Sequence, residues 1–308
     1  MAIEQEGTFD AAGKSLYTKA WLPEGSPKAK LIFVHGFSDH IGRYQRMFTA
    51  LAQRGIAVYG FDQRGWGRSV AKSSERGLTG PTSLIIADIA AFLKPHLPAS
   101  AADPPVFVLG HSMGGAEVLT LLSDAAYQDD IVRHVRGWLL ESPFIAISPE
   151  EQPSALKVLA GRVAGKLLPN QQVYHQLKPE NLSRDPAIVK DLAEDVLMHN
   201  TGTLGGMAGM LDRAASLVSG AVRPRGTAVR SLWLGHGTRD KAISYAASKK
   251  YFEQFTEAVP DKEFRTYEGW YHQLHSDGEC SDEFYKDVAD WILARPGPAG
   301  EERADSKL

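Results

Sequence analysis

The stretch VFVLGHSMGGAEVLTLL, residues 106–122, decides how the rest of the chain is interpreted. Its first four residues are apolar and predict a buried strand, and residues 116–126 predict a helix. Between them, GHSMG at 110–114 fits the pattern G-x-S-x-G. Because glycines permit a sharp turn, this pattern between a strand and a helix is typical of a turn that presents a nucleophilic serine above a sheet. We therefore predict Ser112 as a nucleophile, and the alternative is a glycine-rich turn with an inert serine.

Short apolar runs alternate with helical patterns along most of the chain. Strands are predicted at 31–34, 56–61, 106–109, 138–140, 232–234 and 263–267, and helices at 44–53, 81–97, 116–126, 245–256 and 283–293. Strands that alternate with helices indicate an α/β fold with a mostly parallel sheet and helices on both faces. Residues 14–23 have no helix after them, so we expect an antiparallel edge strand there, paired with residues near Thr8.

The alternation is interrupted between residues 144 and 225, where helical patterns occur without a convincing buried strand. We expect this cap segment, residues 144–225, to be a helical insertion over the carboxyl ends of the strands. Residues 1–143 and 226–295 would then form the core, and residues 296–308 a flexible tail. Within the cap segment, residues 155–168 predict an amphipathic helix. Its apolar side carries Leu156, Leu159, Val163 and Leu167.

Composition excludes several classes of protein. The 308 residues are 43% hydrophobic and 23% charged, as in an average soluble globular protein, and the formal net charge is −3. Lys and Arg are scattered, so no nucleic-acid partner is expected. The single cysteine, Cys280, excludes an internal disulfide, and no apolar run approaches the roughly 18 residues of a membrane span. No signal-peptide pattern, HExxH motif or cysteine–histidine cluster occurs, so neither a secretory leader nor a metal or cofactor is expected.

The last three residues match a targeting signal. Ser306, Lys307 and Leu308 form the tripeptide that a peroxisomal import receptor reads, and they follow the Pro- and Gly-rich residues 296–300. We therefore expect the import receptor as a partner and the peroxisome as the location. The alternative is a tail that ends this way by chance, which leaves the cytoplasm and the lipid-droplet surface.

A serine hydroxyl needs a base to become a nucleophile, and the base needs an acid to orient it. In the α/β-hydrolase fold, the acid and the histidine follow the serine in that order. Asp240 lies in the loop after the predicted strand at 232–234, and His272 lies in the loop after the next strand. Both spacings fit the roles of acid and base. Asp261 is an alternative acid, and His275 is an alternative base.

Two backbone amides are candidates for an oxyanion hole. HGF at 35–37 directly follows the predicted strand at 31–34, where this fold places half of that hole. The N–H groups of Phe37 and of Met113, the residue after the nucleophile, would bind a tetrahedral oxyanion. His35 itself is expected to bond local backbone.

Five blocks of sequence resemble one known family. They are HGFSDHIGRY (35–44), FDQRGWGRS (61–69), GHSMGG (110–115), GTRD (237–240) and YEGWYHQLH (267–275). On these blocks the chain resembles the monoacylglycerol lipases of fungal type, over about residues 8–293. The resemblance implies an α/β-hydrolase fold and hydrolysis of monoacylglycerol to glycerol and fatty acid through an acyl-enzyme on Ser112. It also implies His272, rather than His275, as the base beside Asp240.

The resemblance further implies a polar pocket for the glycerol head group. Asp39, Arg43 and His275 match the family's residues there, although the family commonly has Glu at the position of Asp39. The lid of this family touches membranes or lipid droplets, which would suit the helix at 155–168. The alternative for that helix is ordinary packing on the domain.

Other functions use the same three residues. A peroxisomal thioesterase, a lysophospholipase or a hydrolase of secondary-metabolite esters would need the same triad. A perhydrolase side reaction is a further alternative. A non-catalytic binding protein of the same fold is the most distant alternative, because such proteins typically lose triad members and this sequence has all three.

Overall fold

The computed structural model describes residues 2–297. The predicted import signal at Ser306, Lys307 and Leu308 lies outside the described residues. Ten strands occur in the described part: β1 Ile3–Ala11, β2 Lys14–Leu22, β3 Ala29–Val34, β4 Ile56–Phe61, β5 Val106–His111, β6 Gly137–Glu141, β7 Gln172–Tyr174, β8 Thr201–Thr203, β9 Ser231–Gly237 and β10 Asp261–Tyr267.

Eight of these strands form one sheet, in the order β1-β2-β4-β3-β5-β6-β9-β10. Every pairing from β4 to β10 is parallel, and the pairings of β2 with β1 and with β4 are antiparallel. The predicted mostly parallel sheet is therefore confirmed.

The prediction of an edge strand at 14–23 is wrong, although its partner is right. Thr8 of β1 lies opposite Tyr17 of β2, as expected. The edge, however, is β1, and β2 also pairs with β4, where Thr18 lies opposite Phe61. The sequence of β1 is largely exposed and lacks an apolar run, which is why it gave no strand signal.

Nine α-helices accompany the strands in the described part: α1 Gln45–Gln53, α2 Thr82–Leu93, α3 Met113–Ser123, α4 Ala155–Leu167, α5 Pro179–Leu182, α6 Pro186–Glu194, α7 Leu204–Val218, α8 Tyr245–Phe255 and α9 Ser281–Leu293. Successive side chains of a strand point to opposite faces of a sheet. Accordingly, Ile32 and Val34 pack in the hydrophobic cluster with α2, α3 and α8, while Leu31 and Phe33 pack in the cluster with α1 and α9. Both faces of the sheet are thus buried, which explains the unbroken apolar runs of its strands.

The cap segment contributes α4 to α7 and a small antiparallel sheet of β7 and β8. The helical patterns predicted in this segment did not indicate these two strands, which have three residues each. Helix α7 packs on α3 and α2 of the core, and α4 packs on α7. No helix within residues 2–297 is long and apolar enough to cross a membrane.

Candidate active site

Ser112 lies at the turn between β5 and α3, in a backbone conformation with φ +53° and ψ −117°. Non-glycine residues rarely adopt a positive φ, and such strain persists only where the surroundings hold it. Here the Ser112 N–H donates to the Glu141 carbonyl at 3.0 Å, and the Ser112 carbonyl accepts from the Phe144 N–H at 2.8 Å. The end of β6 therefore holds the turn that presents Ser112.

Gly110 and Gly114, the outer glycines of the GHSMG motif, lie too close to neighbouring backbone atoms for any side chain. A Cβ at Gly110 would lie 2.6 Å from the Gly114 carbonyl oxygen, and a Cβ at Gly114 would collide with the Val34 carbonyl oxygen. Any side chain at these positions would push α3 away from the sheet. The two glycines thus let the helix begin directly after Ser112.

Asp240 and His272 are joined by a hydrogen bond. The loop after β9 carries Asp240 and the loop after β10 carries His272, and His272 Nδ1 lies 2.7 Å from Asp240 Oδ2. Both side chains are buried. The other oxygen of Asp240 accepts the backbone N–H groups of Ala242 and Ile243 at 2.8 Å each. The two residues predicted as acid and base are therefore in contact, and the acid is fixed by its own loop.

The two groups shift each other's pKa. Burial alone lowers the pKa of His272, but the charge of Asp240 and its hydrogen bond outweigh burial and raise that pKa. Burial raises the pKa of Asp240, but the charge of His272 and the hydrogen bonds from His236 and His272 outweigh burial, so the pKa is lowered. Asp240 is consequently ionised at neutral pH and stabilises an imidazolium at His272.

One cavity of about 390 Å³ brings the site residues together. Ser112, His272, Phe37 and Met113 all line it. Met113 is the first residue of α3, so its N–H has no acceptor within the helix and is free to bind an oxyanion. Within residues 2–297, the Ser112 hydroxyl makes no hydrogen bond to His272, a contact that commonly tightens only when substrate binds.

The remaining wall of this cavity is mainly apolar, and most of it comes from the cap segment. Its apolar residues include Ile147, Val158, Met198, Leu204, Met207, Met210, Leu211 and Ile243. An elongated hydrocarbon chain would bury its surface against such a wall.

The three predicted head-group residues are not equally placed. Asp39 lines the cavity, and its carboxylate accepts the Tyr44 hydroxyl at 2.5 Å. Arg43 instead donates to Asp195, just after α6, at 2.9 Å. His275 lies behind the cavity wall, with its ring 4.1 Å from that of Tyr44. The structure thus brings Asp39 to the cavity and leaves Arg43 and His275 next to it, outside its lining.

The cap segment also contacts the loop that carries Phe37. Ser38 has a φ of +51°, and its hydroxyl accepts the backbone N–H of Asn200 at 2.7 Å. His35, as expected, bonds local backbone: its Nδ1 lies 2.8 Å from the Gly36 oxygen, and its Nε2 accepts the Gln63 N–H at 2.8 Å. The loop before α1 is therefore held from both sides.

Sequence reasoning missed two buried residues of the site, Glu141 and His236. Glu141 ends β6, and its Oε1 lies 2.7 Å from His275 Nδ1. Burial raises the pKa of Glu141, and burial lowers the pKa of His275 to about 3. His236 lies 2.9 Å from Asp240. The available signal was a polar side chain near the end of a predicted buried strand: Glu141 directly follows the strand at 138–140, and His236 follows the strand at 232–234 after Gly235.

His111, Glu141 and His275 offer three possible metal-ligand atoms within 4.8 Å of one another, the one such group among the described residues. Hydrogen bonding accounts for part of this cluster, because Glu141 accepts both from the His275 ring and from its N–H at 3.1 Å. All three side chains are buried, and His111 also lines the cavity that contains Ser112.

The chain is similar to proteins of one known family. A family model described as "Serine aminopeptidase, S33" matches residues 25–279. A Schizosaccharomyces pombe protein, provisionally named a monoglyceride lipase, is 31% identical over 92% of this chain and 72% of that protein. The monoglyceride lipase of Rattus norvegicus is 30% identical over 94% of this chain and 91% of that protein.

A solved structure shares the fold. It is a soluble variant of the monoglyceride lipase of Saccharomyces cerevisiae in complex with a substrate analog, with a TM-score of 0.84 and 18% identity. The match covers 96% of this chain and 97% of that chain. The protein therefore belongs to the monoglyceride lipase family of α/β-hydrolases.

Proposed function

We propose that this protein hydrolyses monoacylglycerol to glycerol and a fatty acid, through an acyl-enzyme on Ser112. The observation that carries the proposal is the single cavity, of about 390 Å³, whose wall contains Ser112, His272 and a long apolar surface. The names of the relatives support the choice of monoacylglycerol as substrate.

In the proposed reaction, the Ser112 oxygen attacks the ester carbonyl while His272 takes the hydroxyl proton. The N–H groups of Phe37 and Met113 hold the resulting oxyanion, and Asp240 stabilises the imidazolium of His272. The imidazolium then gives its proton to the leaving glycerol oxygen, which leaves the acyl group on Ser112. Water attacks this ester with His272 again as the base, and the fatty acid is released with Ser112 restored.

The acyl chain is proposed to lie along the apolar wall of the cap segment, and the glycerol end beside Asp39. A carboxylate is an acceptor for glycerol hydroxyl groups. The contact of Tyr44 with Asp39, and the packing of His275 against Tyr44, would hold that carboxylate in place. The charge of Arg43 lies near Asp39 as well. Arg43 and His275 would thus support the head-group site from outside the cavity.

Helix α4 is proposed to contact a lipid surface. Its apolar side faces away from the protein: Leu156 is 74% exposed, Leu159 60% and Leu167 75%. A contiguous group of exposed, large apolar side chains is uncommon on the surface of a soluble protein and marks an interaction site. Lys157 and Lys166 on the same helix would favour anionic headgroups. A substrate could then enter the cavity from the membrane or lipid droplet, since Val158 of α4 lines it.

The peroxisome is proposed as the location, on the basis of Ser306, Lys307 and Leu308 alone. A lipase and a thioesterase would both have fatty-acyl substrates there.

A thioesterase acting on acyl-CoA is the second candidate function. It is favoured by three cationic side chains at the cavity, from Lys157, Arg162 and Lys178. Arg162 and Lys178 are paired with Asp212 and Glu151, at 2.8 and 2.6 Å, whereas Lys157 has no such partner among residues 2–297. A phosphate-bearing substrate would suit such a cation, but one exposed lysine is weaker support than the apolar wall.

The test is hydrolysis of pure lipids by the purified protein and by its Ser112→Ala variant. The panel contains mono-, di- and triacylglycerols, lysophospholipid, acyl-CoA and p-nitrophenyl butyrate. Selective turnover of monoacylglycerol, lost by roughly four or more orders of magnitude in Ser112→Ala, is the expected result. Selective turnover of acyl-CoA would replace the first candidate by the second. Activity of Ser112→Ala within tenfold of wild type would contradict the whole mechanism.

A further inference from the structure

Every acceptor position of the Asp240 carboxylate is used. Oδ1 accepts the N–H groups of Ala242 and Ile243, and Oδ2 is shared by two imidazoles. His272 Nδ1 lies 2.7 Å from Oδ2, and His236 Nε2 lies 2.9 Å from the same atom. A carboxylate has about four lone-pair directions, so this one is fully satisfied. Orienting a single catalytic histidine requires only one of these four contacts.

The surroundings of His236 determine how its ring is protonated. An ionised carboxylate only accepts hydrogen bonds, so His236 must donate through Nε2–H. The ring is completely buried, and its Nδ1 has no hydrogen-bond partner within the described residues 2–297. A second proton on Nδ1 would therefore be a buried donor without an acceptor, which is costly. Geometry thus favours a neutral ring with the proton on Nε2.

The position of His236 is set by rigid elements. It is the second-last residue of β9, where Thr266 of β10 lies opposite in the parallel register. The ring of Tyr245, at the start of α8, packs edge-on against it with a centroid distance of 5.8 Å. The imidazole consequently has little freedom to leave Asp240.

We propose that His236 is a positioning residue of the active site, which acts on the reaction through Asp240 and does not touch the substrate. This inference rests on the proposed function, because it takes Asp240 and His272 as the acid and the base. The Nε2–H of His236 fixes the plane of the carboxylate and takes up part of its negative charge. His272 therefore faces an oxygen whose direction is fixed and whose charge is shared between two donors.

The pH dependence of catalysis should report this sharing. The catalytic base must be neutral to accept a proton, so the acid limb of the profile follows the pKa of His272. The titratable groups that face His272 are Asp240, Glu141, Asp39, His111 and His275. A change at His236 alters the first of them directly. Without the His236 donor, more of the Asp240 charge acts on His272, which raises the pKa of His272 and moves the acid limb to higher pH.

The test compares His236→Leu with His236→Gln on p-nitrophenyl butyrate over the full pH range. Leucine removes the donor, while the glutamine amide places an N–H near the position of Nε2. We expect kcat of His236→Leu to fall roughly ten- to hundredfold, because one hydrogen bond to a charged group is lost. We also expect its acid limb to move to higher pH, and both effects to reverse in His236→Gln. An unchanged kcat and acid limb in His236→Leu would overturn the proposal, and so would a glutamine variant no better than leucine.

A measurement on the wild-type protein does not depend on how the variants fold. In protein labelled with 15N-histidine, the side-chain nitrogen spectrum of His236 should be that of a neutral ring protonated on Nε2. An imidazolium, or a ring protonated on Nδ1, would overturn the proposal. A wild-type protein that hydrolyses p-nitrophenyl butyrate but not monoacylglycerol would contradict the proposed substrate, and would leave both tests of His236 in force.

Discussion

Arg213 of α7 donates a hydrogen bond to Glu117 of α3 at 3.2 Å, and both side chains are buried. The pair links the cap segment to the helix that begins directly after Ser112. Arg213 also donates to the Thr82 hydroxyl at 2.9 Å, at the start of α2. Burial raises the pKa of Glu117 to about 7, although the charge of Arg213 opposes that shift. The charge of Arg213 thus offsets only part of the free-energy cost of burying the Glu117 carboxylate.

Removing one partner of this pair should cost more stability than removing both. Arg213→Met leaves Glu117 buried without its cation, and such a change typically lowers the free energy of unfolding by about 3–5 kcal/mol. In the double variant Glu117→Leu with Arg213→Met, no buried charge remains, so most of that loss should be recovered. Urea unfolding of the wild type, both single variants and the double variant gives the comparison. Additive losses in the double variant would contradict the assignment.

Ser112 should be more tolerant of glycine than of alanine. Its φ of +53° and ψ of −117° lie in a region where glycine is unstrained and residues with a Cβ are not. Both Ser112→Gly and Ser112→Ala lack the nucleophile. We expect the free energy of unfolding, measured by urea titration, to be higher for Ser112→Gly than for Ser112→Ala by about 1 kcal/mol. The matched control is Ser216 inside α7, where glycine should be the less stable replacement. The same order at both positions would argue against strain at Ser112.

Asp240→Asn should lower kcat by roughly four orders of magnitude, because the amide favours the wrong tautomer of His272. It should also move the acid limb of the pH profile to lower pH. The charge of Asp240 raises the pKa of His272, so its removal lets burial lower that pKa. The control is Asp261→Asn, the alternative acid in the sequence, whose carboxylate is bound to Arg295 instead. If Asp261→Asn caused the larger loss, the acid would be misassigned.

Association with lipid should depend on the exposed side of α4. The triple variant Leu156→Gln, Leu159→Gln and Leu167→Gln removes three large apolar side chains, each worth about 1.5–3 kcal/mol when fully buried. We expect its partition onto phosphatidylcholine vesicles to fall by at least roughly tenfold, with turnover of soluble p-nitrophenyl butyrate retained. Val196→Gln is the control, since Val196 is 83% exposed but lies outside α4. An equal loss in the control would show that vesicle binding responds to the loss of any exposed apolar side chain, and would contradict a specific contact through α4.

Substitution of Asp39 should separate head-group recognition from catalysis. Asp39→Asn replaces a charged acceptor in the cavity wall, so the KM for monoacylglycerol should rise several-fold. The KM for p-nitrophenyl butyrate, which has no glycerol, should change little. Arg43→Ala should show a smaller difference between the two substrates, because Arg43 is bound to Asp195 and does not line the cavity. A parallel rise in both KM values for Asp39→Asn would contradict a head-group contact.

The buried strands and the helices of the core could be predicted from the sequence. Buried parallel strands are apolar on both faces, so β3, β4 and β5 stand out as unbroken apolar runs. The order of the strands determines where the loops lie, so Asp240 after β9 and His272 after β10 were predictable as acid and base, with Asp261 and His275 as alternatives. The contact of His272 with Asp240 at 2.7 Å follows from that reasoning.

Contacts between polar residues that are far apart in the sequence could not be predicted. The partnership of Glu117 with Arg213, and that of Arg43 with Asp195, depend on how the cap segment packs on the core. A charged residue in an amphipathic helix normally predicts a solvated face, and a single sequence does not reveal a partner that lies many residues away. His236 was missed for a different reason, since its role depends on the direction of one ring nitrogen.

The hydrogen bond from the Asn200 N–H to the Ser38 hydroxyl has a consequence for engineering. Ser38 directly follows Phe37, whose amide is one proposed oxyanion donor, so the cap segment helps to fix that donor. The cap segment could be exchanged between related enzymes in order to change the preferred length of the acyl chain. Such an exchange would replace both the residue that binds the Ser38 hydroxyl and the apolar wall of the cavity. We expect such chimaeras to differ in turnover as well as in selectivity, unless the hydrogen bond from the backbone at position 200 to the Ser38 hydroxyl is retained.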